Sequence, residues 1–193
     1  RVRELLERAR AAGDLGAQAA AHLIIADALW ESGPEAAEHL RQAQHLADAS
    51  AQDELGLEAR IALVIYLTEF LNQIEEAERV AEDAAAWLQR LGHPRRMEMR
   101  WVLARANIHG RRGENEQALA ALRRYLEIAQ AHEAPGSPRL ADGYNNLASQ
   151  LSMMGRYAEC AELLQRGLVE AKRARWRSET IAILLLGNLG LTR

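Results

Sequence analysis

The chain has 193 residues, of which 49% are hydrophobic but only 5% aromatic, and it carries a formal net charge of −3. That length suffices for a sizeable core, and Ala and Leu must build it, which favours helix against helix over a bulky globular centre. The acidic balance argues against direct nucleic-acid binding by the domain as a whole. The single Cys160 excludes an internal disulfide and fits a reducing, cytoplasmic setting.

Apolar periodicity predicts helices over 2–12, 15–32, 35–49, 53–71, 74–91, 95–112, 115–132, 138–154, 157–174 and 177–191. Turn signals separate them: Glu31-Ser32-Gly33-Pro34, Leu71-Asn72-Gln73, Arg112-Gly113-Glu114 and Met154-Gly155-Arg156, with Pro-containing breaks at 91–94 and 134–138. Gly or Asn just past a helix relieves the left-handed cap conformation. The most strand-like run, Ile61 to Leu67, lies inside a helical pattern and reads as a buried helix. The longest apolar run, Ile181 to Gly187, is far shorter than a membrane span.

The helices repeat. Ala36, Ala77, Ala118 and Cys160 recur at intervals of about 41, 41 and 42, each opening a set of apolar positions at i+4, i+7 and i+11. Leu40, Ala43 and Ala47 follow the first; Ala81, Ala84 and Leu88 the second; Leu122, Tyr125 and Ala129 the third; Leu164, Gly167 and Ala171 the fourth. Such spacing puts each set on one helical face. These are the B helices, and each follows an A helix. A fixed period of this length marks an array of helix pairs. The expectation is a single repeat domain over 1–193. It starts and stops in mid-unit and has no initiator Met, so it reads as a fragment of a longer protein.

No catalytic motif stands out. The six histidines (22, 39, 45, 93, 109 and 132) include no i, i+4 pair and no HExxH, and Walker, GxGxxG and GxSxG signatures are absent. No metal or cofactor is implied. Cys160 reads as a packing position rather than a nucleophile. Ser137 reads as a loop residue, and the carboxylates of first helical turns complement the helix dipole. The basic run 172–177 reads as a cationic helix end rather than a nucleic-acid contact. Trp87 and Trp101 are expected to bridge adjacent helices.

Tyr144-Asn145-Asn146-Leu147-Ala148, then Gly155-Arg156-Tyr157-Ala158-Glu159-Cys160-Ala161, then Leu164 and Gly167-Leu168 resemble a tetratricopeptide repeat (TPR). Asn188-Leu189-Gly190 echoes the core one period on. The third unit keeps Ala106, Gly113 and Ala118 but has Tyr125 where a small residue is usual; the second has Asn72 in place of glycine. The unit is longer than the roughly 34 residues usual in this family. It is similar to the long-helix subclass, which includes kinesin light chain and the sensor regions of bacterial signalling ATPases and of LuxR- or SARP-type transcription regulators. An Ala/Arg-rich sequence with Lys172 as its one lysine is closer in style to the bacterial regulators.

The resemblance implies an all-α, right-handed α-solenoid of about ten antiparallel helices whose A helices line a concave groove. It implies a non-catalytic protein- or peptide-interaction scaffold, the sensor or oligomerisation region of a bacterial transcription regulator; the alternative is a small-molecule effector-binding sensor. Asn146 and Asn188 match the asparagine that often bonds a bound peptide's backbone. An amide suits that task because it donates and accepts. A hydrogen bond within the scaffold is the other reading. Helical spacing adds Tyr66, Glu69, Arg100, Asn107, Arg111, Asn145 and Ser149 as neighbours, and Tyr66, Arg100 and Arg111 would suit an anionic ligand. The apolar last helix suggests homodimerisation through Ile181, Leu184 and Leu185.

Overall fold

A computed structural model describes residues 2–29 and 32–173, with Gly187 and Gly190. Among the described residues there are nine helices and no strand. They are α1 (Val2–Ala11), α2 (Leu15–Ala28), α3 (Gly33–Ala49), α4 (Asp53–Glu69), α5 (Ile74–Arg90), α6 (Arg95–Arg111), α7 (Asn115–His132), α8 (Pro138–Met153) and α9 (Tyr157–Arg173). The expected helix over 177–191 lies outside the described residues apart from its two glycines, as do Asn188, Ile181, Leu184 and Leu185. Trp30 and Trp176 also lie outside them. No helix among the described residues is long and apolar enough to cross a membrane.

The repeat markers have a structural meaning. Ala36, Ala77, Ala118 and Cys160 are each the fourth residue of α3, α5, α7 and α9, and each is at most 1% exposed. Each donates its backbone N–H, at 3.0 Å, to the carbonyl of the residue just before its helix: Ser32, Gln73, Glu114 and Arg156. This is the first bond of the helical ladder, made where another helix presses on the side chain. The positions four, seven and eleven residues on are buried in all four helices. Burial raises the Cys160 thiol above its ordinary value, so it is neutral and inert there.

The turns follow the expected chemistry with one exception. Gly113 and Gly155 have φ of 73° and 74°, and Asn72 has φ of 53°. A Cβ on either of these glycines would meet nothing within 4 Å, so the left-handed backbone, not crowding, favours glycine there. Gly33 is different. It is the first residue of α3 rather than part of a turn, and α2 stops at Ala28 instead of running to 32. The Leu29 N–H closes α2 on the carbonyls of Ile25 and Ala26. A Cβ at Gly33 would stand 2.9 Å from the Cβ of Phe70, so this glycine serves close approach.

The chain divides into two compact units, Arg1–Arg111 and Arg112–Arg193. In the first unit each helix from α1 to α6 packs on the next, and the A helices also meet: α4 packs on α6 and touches α2. The run Ile61 to Leu67 is helical and lies at the centre of this core, with Leu57, Ile61, Val64 and Leu67 sealed from solvent. Trp101 on α6 donates Nε1–H to the Ala81 carbonyl of α5 at 3.1 Å. In the second unit α7 packs on α8 and α8 on α9. There Gln150 is buried and donates to the Asn115 side chain at 3.0 Å. Ser137 caps α8, accepting from the Arg139 N–H, and its hydroxyl donates to Glu133.

Among the described residues of the first unit one charge is buried. Arg60 on α4 is 3% exposed. Its fork meets both Asp48 oxygens of α3 at 3.0 and 2.8 Å, and its Nε meets Asp83 of α5 at 2.5 Å. Its guanidinium also lies over Trp87, 4.4 Å from the ring centroid, while Arg90 covers the same ring at 4.0 Å. Three helices are thereby fixed by one side chain. Removing one partner of a buried pair is costly, about 3–5 kcal/mol. Asp48 and Asp83 still reach water, so Arg60→Ala should cost about 3 kcal/mol, the low end of that range. Arg60→Lys should recover only part of it, because an ammonium cannot reproduce the bidentate fork. Urea unfolding of the three proteins measures both.

Candidate functional site

The A helices of the first unit expose a face whose chemistry changes from one junction to the next. Between α4 and α6 the residues are charged. Glu58 accepts from Arg100 at 2.5 Å and from Arg96 at 3.4 Å. Further along the same junction, Glu69 accepts from Asn107 at 2.7 Å, and Arg111 donates to the Glu69 backbone carbonyl at 3.2 Å. Between α2 and α4 the face is apolar and hollow. A cleft of about 500 Å³ is lined by Leu23, Ile24, Leu55, Ala62 and Ile65 and by the charged residues Asp27, Glu58, Arg96 and Arg100. That volume lies in the range of small-ligand pockets.

Tyr66 forms part of the cleft wall but is committed to the scaffold. It is buried, and its hydroxyl donates to the Ala26 carbonyl at 2.9 Å, tying α4 to α2. Burial first, then the negative charges of Asp27 and Glu69, raise this hydroxyl above its ordinary value, so it remains a donor.

The sequence-predicted residues therefore fall into separate places. Tyr66 and Arg100 share the cleft. Asn107 and Arg111 gather at Glu69, and Arg111 is absent from the cleft wall. Asn145, Asn146 and Ser149 lie half-buried on α8 in the second unit. Among the described residues the Asn146 side chain makes no hydrogen bond. Asn188 lies outside them. An anion bound by Tyr66, Arg100 and Arg111 together finds no single site in the first unit: Arg100 already holds a carboxylate, and Tyr66 donates inward.

Sequence reasoning missed Asp27, Glu58 and Arg96. The repeat register contains the signal for two of them. Glu58 stands one repeat before Arg100, and Asp27 stands one repeat before Glu69, which in turn stands one repeat before Arg111. Arg96 is one helical turn before Arg100. The cleft wall supplies no hydroxyl, thiol and imidazole combination for nucleophilic chemistry. Among the described residues no three His, Cys, Asp or Glu side chains gather to hold a metal ion.

The fold also makes a histidine pair that i, i+4 spacing could not reveal. His22 on α2 and His39 on α3 bring their Nδ1 atoms to 2.8 Å, with ring centroids 4.9 Å apart. One nitrogen must donate and the other accept, so the contact holds a single proton. Burial, then His39 and Arg10, hold His22 below its ordinary value, opposed by Glu38.

Comparison with known proteins bears on the fold. No protein-family model matches the chain, and no curated protein matches it. What the geometry defines is an all-helical chain with helical-repeat-like structure. Among solved structures it is similar to BtubC (BKLC) from P. vanneervenii, with a TM-score of 0.81 at 19% identity. The likeness covers 99% of this chain and 80% of that one, and it establishes a shared fold alone.

The histidine pair gives stability a pH dependence of known sign. His22 binds its extra proton less readily folded than unfolded, so folding is favoured fully above pH 6.5, the unfolded value. Stability should fall as pH drops below 6.5 toward the lower folded value. His22→Asn should remove most of that slope between about pH 7.5 and 5.5, as read by urea unfolding at each pH.

Proposed function

We propose that the chain is a non-catalytic, TPR-like right-handed α-solenoid that binds a protein or peptide segment. In this reading it serves as the sensor or oligomerisation region of a bacterial transcription regulator. The observation that carries it is Asn146. It stands in the Asn-Leu-Ala core of the best-matching repeat, on an A helix, half-buried, and without a hydrogen-bond partner among the described residues. Its amide atoms are not sealed from solvent, so they are open to a peptide backbone that could both donate to and accept from them. The scaffold reading of Asn146 required a bond to a neighbouring helix, and none is made among the described residues. The buried marker at the fourth residue of each B helix and the meeting of A helices in the first unit support the repeat architecture.

Panning a displayed library of random dodecapeptides against the purified protein tests this role. Selected peptides should bind Asn146→Ala about fivefold to tenfold more weakly, the value of roughly one neutral hydrogen bond. The variant's thermal midpoint should match that of the parent. Equal binding by Asn146→Ala would remove the groove role of this residue.

A second reading, a small-molecule effector-binding sensor, is favoured by the cleft of about 500 Å³. A ligand of the folded state held at about 100 times its Kd adds about 2.7 kcal/mol of stability. Thermal-shift screening against a metabolite set should then yield hits that are lost in Ile65→Asp, a change in the cleft floor.

A further inference from the structure

The charges lining the α2–α4 cleft balance in number but not in place. Arg96 and Arg100 share one oxygen of Glu58, at 3.4 and 2.5 Å. Each guanidinium carries several further N–H donors, so this cluster can still take up a carboxylate. Two cations on one carboxylate also leave it net positive. Asp27 is the other lining carboxylate. It is exposed, and among the described residues it makes no hydrogen bond or ion pair.

The helices hold the two apart. Glu58 and Arg96 also line an adjoining hollow with Gly16, Ala17 and Ala20, so the arginine cluster lies beside the first half of α2. Asp27 follows Ala20 by seven residues, about 10 Å along the helix. On α4, Tyr66 bonds the Ala26 carbonyl beside Asp27, and it follows Glu58 by eight residues, about 12 Å. Leu23 and Ile24 fall between the two poles on α2, and Ala62 and Ile65 do so on α4. The cleft is therefore dipolar: positive at one end, negative at the other and apolar between. Ile24, 51% exposed, marks its open lip.

We infer that the α2–α4 cleft binds a small linear zwitterion, its carboxylate on Arg96 and Arg100, its ammonium against Asp27 and its aliphatic chain along Ile24 and Ile65; this rests on the small-molecule reading above. Charge complementarity selects a ligand with both charges. A fatty acid or an alkylamine of the same length engages one pole and strips water from the other without return. An α-amino acid holds its charges too close together to reach both. A peptide backbone would set amide groups against apolar side chains, where they lose water and gain no partner.

The probe is ω-aminooctanoic acid, whose extended chain separates the nitrogen from the carboxyl carbon by roughly 10 Å. Octanoic acid, octylamine and the shorter γ-aminobutyric acid are its controls. In amide NMR titrations the zwitterion should bind about threefold to fivefold more tightly than octanoic acid or octylamine, as expected for one solvent-exposed ion pair. Its shifts should centre on Ile24 and Ile65, and γ-aminobutyric acid should bind more weakly than all three. Asp27→Asn should erase the advantage over octanoic acid and leave octanoic acid itself unchanged. Arg96→Gln should weaken the zwitterion and octanoic acid together, by about threefold, and leave octylamine no weaker. Both positions are exposed, and circular dichroism confirms that the variants fold. Equal binding by octanoic acid or octylamine, or an equal loss of all ligands in Asp27→Asn, overturns the inference. Tighter binding by trileucine, whose termini span a similar distance, overturns the aliphatic chain. Metabolites that stabilise the parent but not Ile65→Asp, with no binding of ω-aminooctanoic acid, leave the effector role standing and remove only the zwitterion. No ligand in either experiment removes both.

Discussion

The fourth residue of each B helix is the constraint on which the rest of the chain depends. At that point another helix presses on the first turn, and the backbone N–H is making the first bond of the ladder to the residue before the helix. Ala, Ala, Ala and Cys are the side chains found there, all sealed from solvent. A larger residue would have to push the neighbouring helix away, and packed interiors accommodate extra methylenes poorly. Because the same small position recurs once per repeat at a near-constant interval, the A helices of the first unit inherit that period. A residue on one A helix then faces the residue one repeat later.

That inheritance turns sequence into electrostatics. Glu58 and Arg100 form an ion pair across α4 and α6; further along, Arg111 donates to the Glu69 backbone carbonyl. The pairs lie near the surface, and each adds little stability. Their larger effect is geometric, since they occupy the face between α4 and α6. The heavier bond in this unit is out of register with the repeat. Arg60 reaches across from α4 to α3 and α5 and holds a B-helix pair through Asp48 and Asp83. Glycine at 56, whose Cβ would stand 3.1 Å from both Arg60 Nη1 and Asp48 Oδ1, leaves room for the guanidinium. One turn of α4 thus combines a helix-weakening glycine with a buried cation, and each accounts for the other.

What was legible in the sequence depended on whether its physical cause was local. The helices α1 to α9 (the end of α2 apart), the apolar face of each B helix and the left-handed turns at Asn72, Gly113 and Gly155 all follow from spacing within a few residues, and they stand where the pattern put them. Gly33 looked like a turn glycine because Ser32 and Pro34 flank it; its true reason is Phe70, at the far end of α4, which no local pattern encodes. His22 and His39 failed the metal-spacing test on one helix and met across two. Tyr66, Arg100 and Arg111 looked like one anion site because each has the right chemistry. The fold separated them by using Tyr66 as a tie to Ala26 and by giving Arg100 a carboxylate. Asp27 was missed for the opposite reason. A lone surface aspartate carries no signal until the fold brings it into one cleft with Glu58, Arg96 and Arg100.

An array built on one repeated contact closes each junction in the same way unless the sequence breaks the register. Here the α4–α6 junction has complementary charges at both sites, and the α2–α4 junction has none. Ile24 remains half in water at the α2–α4 junction. The apolar area left open costs stability in proportion to its size, at roughly 25 cal/mol per Å² not buried. Tyr66 nevertheless anchors α4 to α2 from beneath, so the helices are fixed while the face above them is not. A cleft floor fixed from beneath is a preorganised arrangement, in which a ligand would have little of the protein left to order.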